Sequence, residues 1–184
     1  MPKNRSALLV VCMMFAAVAV PIRAQVMPSA YARQPKLVAG GFGSVFQPDY
    51  AGNGFAQGSP QPLIGIGAFF DYRISRFVGV EGEGNWLRFN KYNGIDETTY
   101  MIGPKVHIHD FGRFSPYGKF LIGMGGGSFL NGHTTVLAYG GGVDYDLSSH
   151  WMVRAGDFEF QQWLLTPQLH PYGGSVGIAY KVFK

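Results

Sequence analysis

Residues 78–89 read VGVEGEGNWLRF. The acids Glu81 and Glu83 stand two positions apart, and Asn85 continues their phase. Val78, Val80, Gly82, Gly84 and Trp86 hold the other phase. A strand sends alternate residues to opposite faces. This stretch therefore has one charged face and one uncharged face ending in tryptophan. Which of the two meets water decides the fold.

Composition narrows the choice. Only 14% of the 184 residues are charged, against about 25% in ordinary soluble domains. Aromatics make up 15%, and there are 27 glycines. A water-soluble exterior would lack charge. Residues 1–24 contribute to this balance, because Lys3 and Arg5 precede the apolar run ALLVVCMMFAAVAV and then PIRA. A basic start, a short apolar middle and a small residue mark a secretory signal. The run is shorter than the ~20 residues of a spanning helix. Cleavage is expected after Ala24, with Ala32 the second choice. It would lower the net charge from +4 to +1 and remove the only cysteine, Cys12. A nucleic-acid partner is then not expected, nor is any thiol or disulfide chemistry.

After a lead-in at 25–35, the segment 36–184 shows no long stretch of helical periodicity. Strand-like segments recur instead, at 36–47, 62–73, 77–89, 98–109, 116–127, 134–147, 151–163 and 172–183. The breaks PDYAGNGFAQGSPQ, NKYNGIDE, SFLNGH and LLTPQLHP are long, and ISR, DFGRFS and SSH are short. Alternating long and short connections imply an up-and-down meander with its long loops at one end. Outer-membrane barrels have that arrangement.

Parity separates the faces. Ile64, Ile66, Ala68, Phe70 and Tyr72 oppose Gly65, Gly67, Phe69, Asp71 and Arg73; Phe120, Ile122 and Met124 oppose Lys119, Leu121 and Gly123. A water-soluble lipocalin-like barrel would turn the apolar face inward, and a membrane barrel turns it outward. Glycines interspersed along the polar face suit the cramped interior of an eight-stranded barrel. Aromatics gather at strand ends: Phe46, Trp86, Tyr100 and Tyr172 at the loop end, and Tyr72, Tyr117, Tyr145, Trp151, Tyr180 and Phe183 at the turn end. Bilayer interfaces select such belts. The expected fold is all-β, an eight-stranded antiparallel up-and-down transmembrane β-barrel.

The inward set is then Asp71, Glu81, Glu83, Asp144, Asp157 and Glu159, with Arg73, Lys105, Lys119 and Lys181 opposite in sign. Charges buried there need partners, so a salt-bridge network is expected, with Lys105 and Lys119 among the acids, plugging the lumen. Asp110 and Asp146 fall near the turn mouth. Two positions resist the pattern. Pro104 lacks a ladder donor, so a bulge is expected there. Arg154 shares the lipid-side phase of Met152, Phe158 and Phe160, unless a bulge at Gly156 shifts the register.

The pieces GVEGEGNWLRFN, ETTYMIGPKVHIHDFGRFSPYGKFLIGMGGG, YGGGVDYDLSSHWMVRAGDFEFQQW and GGSVGIAYKVF together resemble the outer-membrane β-barrel domain family of Gram-negative bacteria, similar to the eight-stranded transmembrane domain of OmpA type. The likeness spans about residues 36–183. It implies insertion by the outer-membrane assembly machinery and no catalysis. Ser175, Gly177, Tyr180 and Val182 resemble the terminal-strand signal that machinery reads, although Phe183 and Lys184 follow.

Other chemistry is weaker. His107 and His109 have a spacing that can bind zinc, without an evident third ligand. GMGGG at 123–127 lacks the Lys-Ser/Thr of a phosphate loop. Ser128 and His133, in or near a loop, lack the His-x-Ser pattern of a barrel-borne lipid A deacylase. Arg88 and Lys91 at the outer end of the third strand are candidates for lipopolysaccharide phosphates. Tyr50, Asn53, Gly54 and Phe55 in the first long loop offer a recognition surface. The expected protein works without cofactor or metal, in a structural or surface-interaction role among outer-membrane lipid and lipopolysaccharide. The rivals are a narrow porin, a lipid A-modifying enzyme and a soluble periplasmic carrier.

Overall fold

The computed structural model describes residues 37–49, 61–92 and 94–183, with the backbone alone for Lys91, Tyr92 and Phe183. The signal segment 1–24, the lead-in 25–35 and the first-loop residues Tyr50, Asn53, Gly54 and Phe55 lie outside the described residues. The strands are β1 (Leu37–Gln47), β2 (Leu63–Arg73), β3 (Val78–Tyr92), β4 (Ile95–His107), β5 (Phe114–Gly127), β6 (Thr134–Asp146), β7 (Trp151–Trp163) and β8 (Tyr172–Phe183). Each pairs antiparallel with the next, and β1 pairs with β8 to close the barrel. Closure leaves no sheet edge with unpaired backbone, as a bilayer requires.

Burial settles the orientation raised by residues 78–89. Glu81 and Lys119 are 0% and 5% exposed, while Ile66, Phe120 and Ile178 are 52%, 47% and 50% exposed. The oily face looks outward and the charged face inward. Tyr72, Trp151 and Tyr180 ring the outer surface at the turn end, and Tyr100 and Tyr172 do so at the loop end. Phe46 and Tyr117, expected in these belts, are instead buried inside, each 3% exposed. Both share the inward phase of their strands, and nearness to a strand end does not override parity.

Inward glycines leave room for large interior side chains. A Cβ on Gly67 would overlap the Phe42 ring, and one on Gly125 would stand 2.6 Å from Val136 Cγ2 and 2.7 Å from Trp163 Cη2.

Three local features depart from simple alternation. The segment NKYNGIDE is a tight hairpin and no long loop. β3 runs to Tyr92, which pairs with Ile95, and Gly94 has φ of 80°. That left-handed conformation costs glycine little, which is why Asn-Gly marks such turns. The register shifts between Leu87 and Tyr92. There Asn90 takes over from the ladder: its Oδ1 accepts from Ile64 N at 2.6 Å, and its Nδ2 donates to Pro62 O at 2.6 Å.

Pro104 makes no bulge. β3 and β4 keep one register through Val80↔Pro104, and β4 and β5 hold the same register on either side, at Ile102↔Ile122 and Lys105↔Lys119. The two absent pairs are those needing an N–H from Pro104 towards Phe120. The barrel forgoes one hydrogen bond, worth about 0.5–1.5 kcal/mol, and keeps the alternation of β4.

The bulge lies on β7. Arg154 pairs with Gly177 and Asp157 with Ser175, so Ala155–Gly156 carries one extra residue, a β-bulge. The β6–β7 register shifts at the same point, between Val143 and Asp144. Residues before the bulge are thereby turned over. Met152 and Arg154 face the interior, 6% and 0% exposed, together with Asp157 and Glu159 beyond it.

Candidate functional site in the barrel interior

Nine charged side chains meet in the interior, placed by six strands: Asp71 from β2, Glu81 and Glu83 from β3, Lys105 from β4, Lys119 from β5, Asp144 from β6, and Arg154, Asp157 and Glu159 from β7. Glu81 is the hub. Arg154 grips it with Nη2 at 2.6 Å and Nη1 at 3.2 Å, Lys105 Nζ lies 3.0 Å from its Oε2, and Lys119 Nζ lies 3.4 Å from its Oε1. Such a forked contact suits the planar guanidinium.

Around the hub the remaining acids divide among the cations. Lys105 also meets Asp71 and Asp144, both at 2.9 Å. Lys119 meets Glu83 at 2.8 Å, Asp157 at 2.6 Å and Glu159 at 3.0 Å. Arg154 adds Asp144 and Asp157, each at 3.4 Å. Aromatic faces complete the cations' surroundings: Lys105 Nζ lies 3.8 Å from the Tyr117 ring centre, and Arg154 Cζ 3.7 Å from that of Phe69. Cations over rings gain from the ring quadrupole when water is displaced.

Arg73 and Lys181, also expected among the inward charges, stand apart from this belt. Arg73 Nη2 lies 3.0 Å from His107 Nδ1, and Lys181 Nζ lies 2.5 Å from Asp146 at the turn end. Asp110 accepts from Ser115 Oγ at 2.6 Å.

Sequence reasoning missed the outer half of the lumen. Phe46, Leu63, Leu87, Ile95, Met101, Leu121, Val136, Ala138, Trp163 and Leu169 form a buried apolar cluster there, with Phe129, Leu130 and Leu165 packed against it from the loops. The signal was available: Leu87, Leu121 and Trp163 continue the inward phase of Glu83, Lys119 and Glu159. A polar thread ties cap to belt, Trp163 Nε1 donating to Gln161 Oε1 at 2.9 Å and Gln161 Nε2 donating to Glu159 Oε1 at 2.8 Å. Opposite, Ser44 Oγ donates to Asn85 Oδ1 at 2.8 Å.

Carboxylate oxygens of Glu81, Glu83 and Asp157 come within 4.8 Å of one another, yet Lys119 Nζ already touches all three. The ammonium takes the position a cation would need. His107 is buried beside Arg73, whereas His109 is exposed and lies edge-on to Phe111 at 4.9 Å. Ser128 Oγ accepts from Asp96 N at 3.2 Å and donates to Gly94 O at 3.1 Å, so its hydroxyl pins the β3–β4 hairpin. Arg88 is exposed on the outer surface and donates to Thr98 Oγ1 at 3.0 Å. Lys91 belongs to β3, and its side chain lies outside the described residues.

Known structures share the fold. Neisserial surface protein A from Neisseria superposes with a TM-score of 0.62 at 13% identity, covering 79% of this chain and 97% of that one. The outer membrane protein OprG of Pseudomonas aeruginosa gives 0.52 at 14% identity, over 80% and 96%. The N-terminal β-barrel domain of OprF from the same organism gives 0.50 at 12%, over 79% and 96%. No curated protein matches the chain in sequence. The family model for the outer membrane protein beta-barrel domain matches residues 7–181, and bacterial outer membranes are where an oily-faced closed barrel of this kind resides. This chain belongs to the outer membrane protein β-barrel domain family.

Proposed function

We infer that the protein is a non-catalytic, membrane-integral barrel that acts through its outer rim and lipid-facing wall, in a structural or surface-interaction role, and conducts no solutes. The observation that carries this reading is the filling of the lumen. Glu81, Lys105 and Arg154 are each 0% exposed at mid-barrel, and Leu121, Val136 and Trp163, also 0% exposed, stand above them. Interior side chains can fill a barrel of eight strands completely. The reading includes export through a cleaved segment 1–24, delivery to the assembly machinery through β8, and work without cofactor. β8 supports the delivery step by presenting Val176, Ile178, Tyr180 and Val182 on one face.

Planar-bilayer recording of the refolded chain tests the closed lumen. No stepwise conductance above the lipid baseline is expected; steady unitary currents would favour the narrow porin. The lipid-modifying alternative is disfavoured by Ser128, whose hydroxyl is occupied at the hairpin and makes no hydrogen bond to His133 among the described residues. Mass spectrometry of lipid A from cells with and without the protein tests that alternative, and identical spectra are expected.

A further inference from the structure

We propose that the outward wall of β2–β5 holds one acyl chain of lipid A, with the lipid's phosphate at Arg88. The inference rests on the outer-membrane placement above and deepens the surface-interaction reading by assigning a ligand and its seat.

The outward wall carries grooves between its side chains, one on β2–β5 and another, of about 440 Å³, around Val176 on the far side. Ala68 and Gly84 lie side by side on the outward phase of β2 and β3 and form the floor of a groove of about 610 Å³, with the Phe70 ring laid across Gly82 at its inner end. Ile122 and Met124 stand up around that floor, 49% and 59% exposed to the surroundings. A flexible hydrocarbon chain fits such a trough, because its burial is apolar and makes no demand for hydrogen bonds.

Polarity along the groove is ordered. Its loop end is closed by Trp86, whose Nε1 donates to Tyr100 Oη at 2.9 Å, the rings edge-on with centres 6.0 Å apart. That bond leaves the Tyr100 hydroxyl hydrogen free to donate towards a headgroup. Next along the same face, Arg88 is held over Thr98 by its 3.0 Å hydrogen bond. No carboxylate lies within ion-pair distance of Arg88 among the described residues, so its charge is uncommitted there. From the barrel's middle to its loop end the order is hydrocarbon trough, amphipathic aromatic pair, then cation. An outer-leaflet lipid bearing phosphate has the same order from tail to head. Aromatic rings of this kind favour the headgroup level, and a guanidinium matches phosphate geometry.

The test uses the full chain, refolded in detergent micelles, with native mass spectrometry counting retained lipid. The probes are diphosphoryl lipid A, the same lipid stripped of phosphate, and phosphatidylglycerol. Wild type is expected to retain diphosphoryl lipid A over the stripped form by about fivefold, the factor one cation near an anionic surface supplies. R88Q should erase that preference while leaving residual binding of both forms. Ala68→Trp, which fills the trough, should reduce retention of both, whereas Val176→Trp on the far wall should change neither. Equal retention of all three probes, or equal loss in the Ala68 and Val176 variants, would overturn the site and leave only general lipid solvation. Heat-modifiable gel mobility establishes that each variant is folded, and Ala68→Leu replaces a variant that is not. Conductance is indifferent to these outward substitutions, so a channel in the bilayer recording would remove the closed-lumen reading and leave this site standing.

Discussion

Arg154 on β7 reaches Glu81 on β3 through two guanidinium contacts of 2.6 and 3.2 Å, although these strands are not neighbours in the sheet. The bond crosses the lumen. It ties opposite walls together where backbone pairing cannot, and it makes Glu81 the common partner of the belt's three cations, Lys105, Lys119 and Arg154. The belt sets six carboxylates against these three cations, so each cation is shared.

Glu81→Gln should therefore cost more than Glu83→Gln, whose side chain meets Lys119 alone among the cations. Removing one partner from a buried pair costs roughly 3–5 kcal/mol, and Glu81→Gln is expected at or above the top of that range. Lys181→Met removes a buried ammonium but leaves a carboxylate that is 47% exposed and that water can solvate, so it should cost less than either. Urea unfolding in lipid vesicles measures all three. Equal losses for Glu81→Gln and Glu83→Gln would show that the hub carries no special share.

Deleting Gly156 removes the extra residue of the β7 bulge. Arg154 and Asp157 would then stand two positions apart, as their partners Gly177 and Ser175 do on β8, so both keep facing the interior and the belt survives. The deletion should therefore cost less than Arg154→Leu, which strips Glu81 of its guanidinium and falls in the roughly 3–5 kcal/mol range of a broken buried pair. Unfolding midpoints compare the two variants, and a deletion at least as costly as Arg154→Leu would mean that the facing of Arg154 depends on the bulged residue itself.

Two layers of buried side chains occupy the lumen in series. Lys119→Met should weaken the charged belt but leave the barrel non-conducting, because Leu121, Val136 and Trp163 still fill the outer half. Trp163→Ala should cost about 3–5 kcal/mol through the cavity it leaves. Ion flux is expected only when both changes are combined. Currents from Lys119→Met alone in planar bilayers would show that the apolar cap does not seal.

Gly94→Ala places a side chain at φ of 80° in the β3–β4 turn. A Cβ there meets nothing within 4 Å, so the cost is conformational alone, about 1–2 kcal/mol. Because Ser128 accepts from Asp96 N and donates to Gly94 O, Ser128→Ala should weaken the same hairpin, and hydrogen exchange across 92–97 should rise in both variants.

The eight recurring segments and the breaks between them determined strand number and meander order, and period-two alternation in 62–73, 116–127 and 172–183 determined the facing of each residue there. Every second position must go to the same side, and carboxylates such as Glu81 and Glu83 cannot stand in lipid. Three things lay beyond that reach. The facing of Arg154 turns on one inserted residue, and a bulge is visible only as a mismatch against β6 and β8, which belong to other parts of the chain. The place of Pro104 depends on which neighbour its absent N–H would have met. The apolar cap of Leu87, Leu121 and Trp163 shares its phase with the charges. Parity sends both groups inward, but only the stacking of eight tilted strands decides that ions gather at one level of the lumen and hydrocarbon at the next.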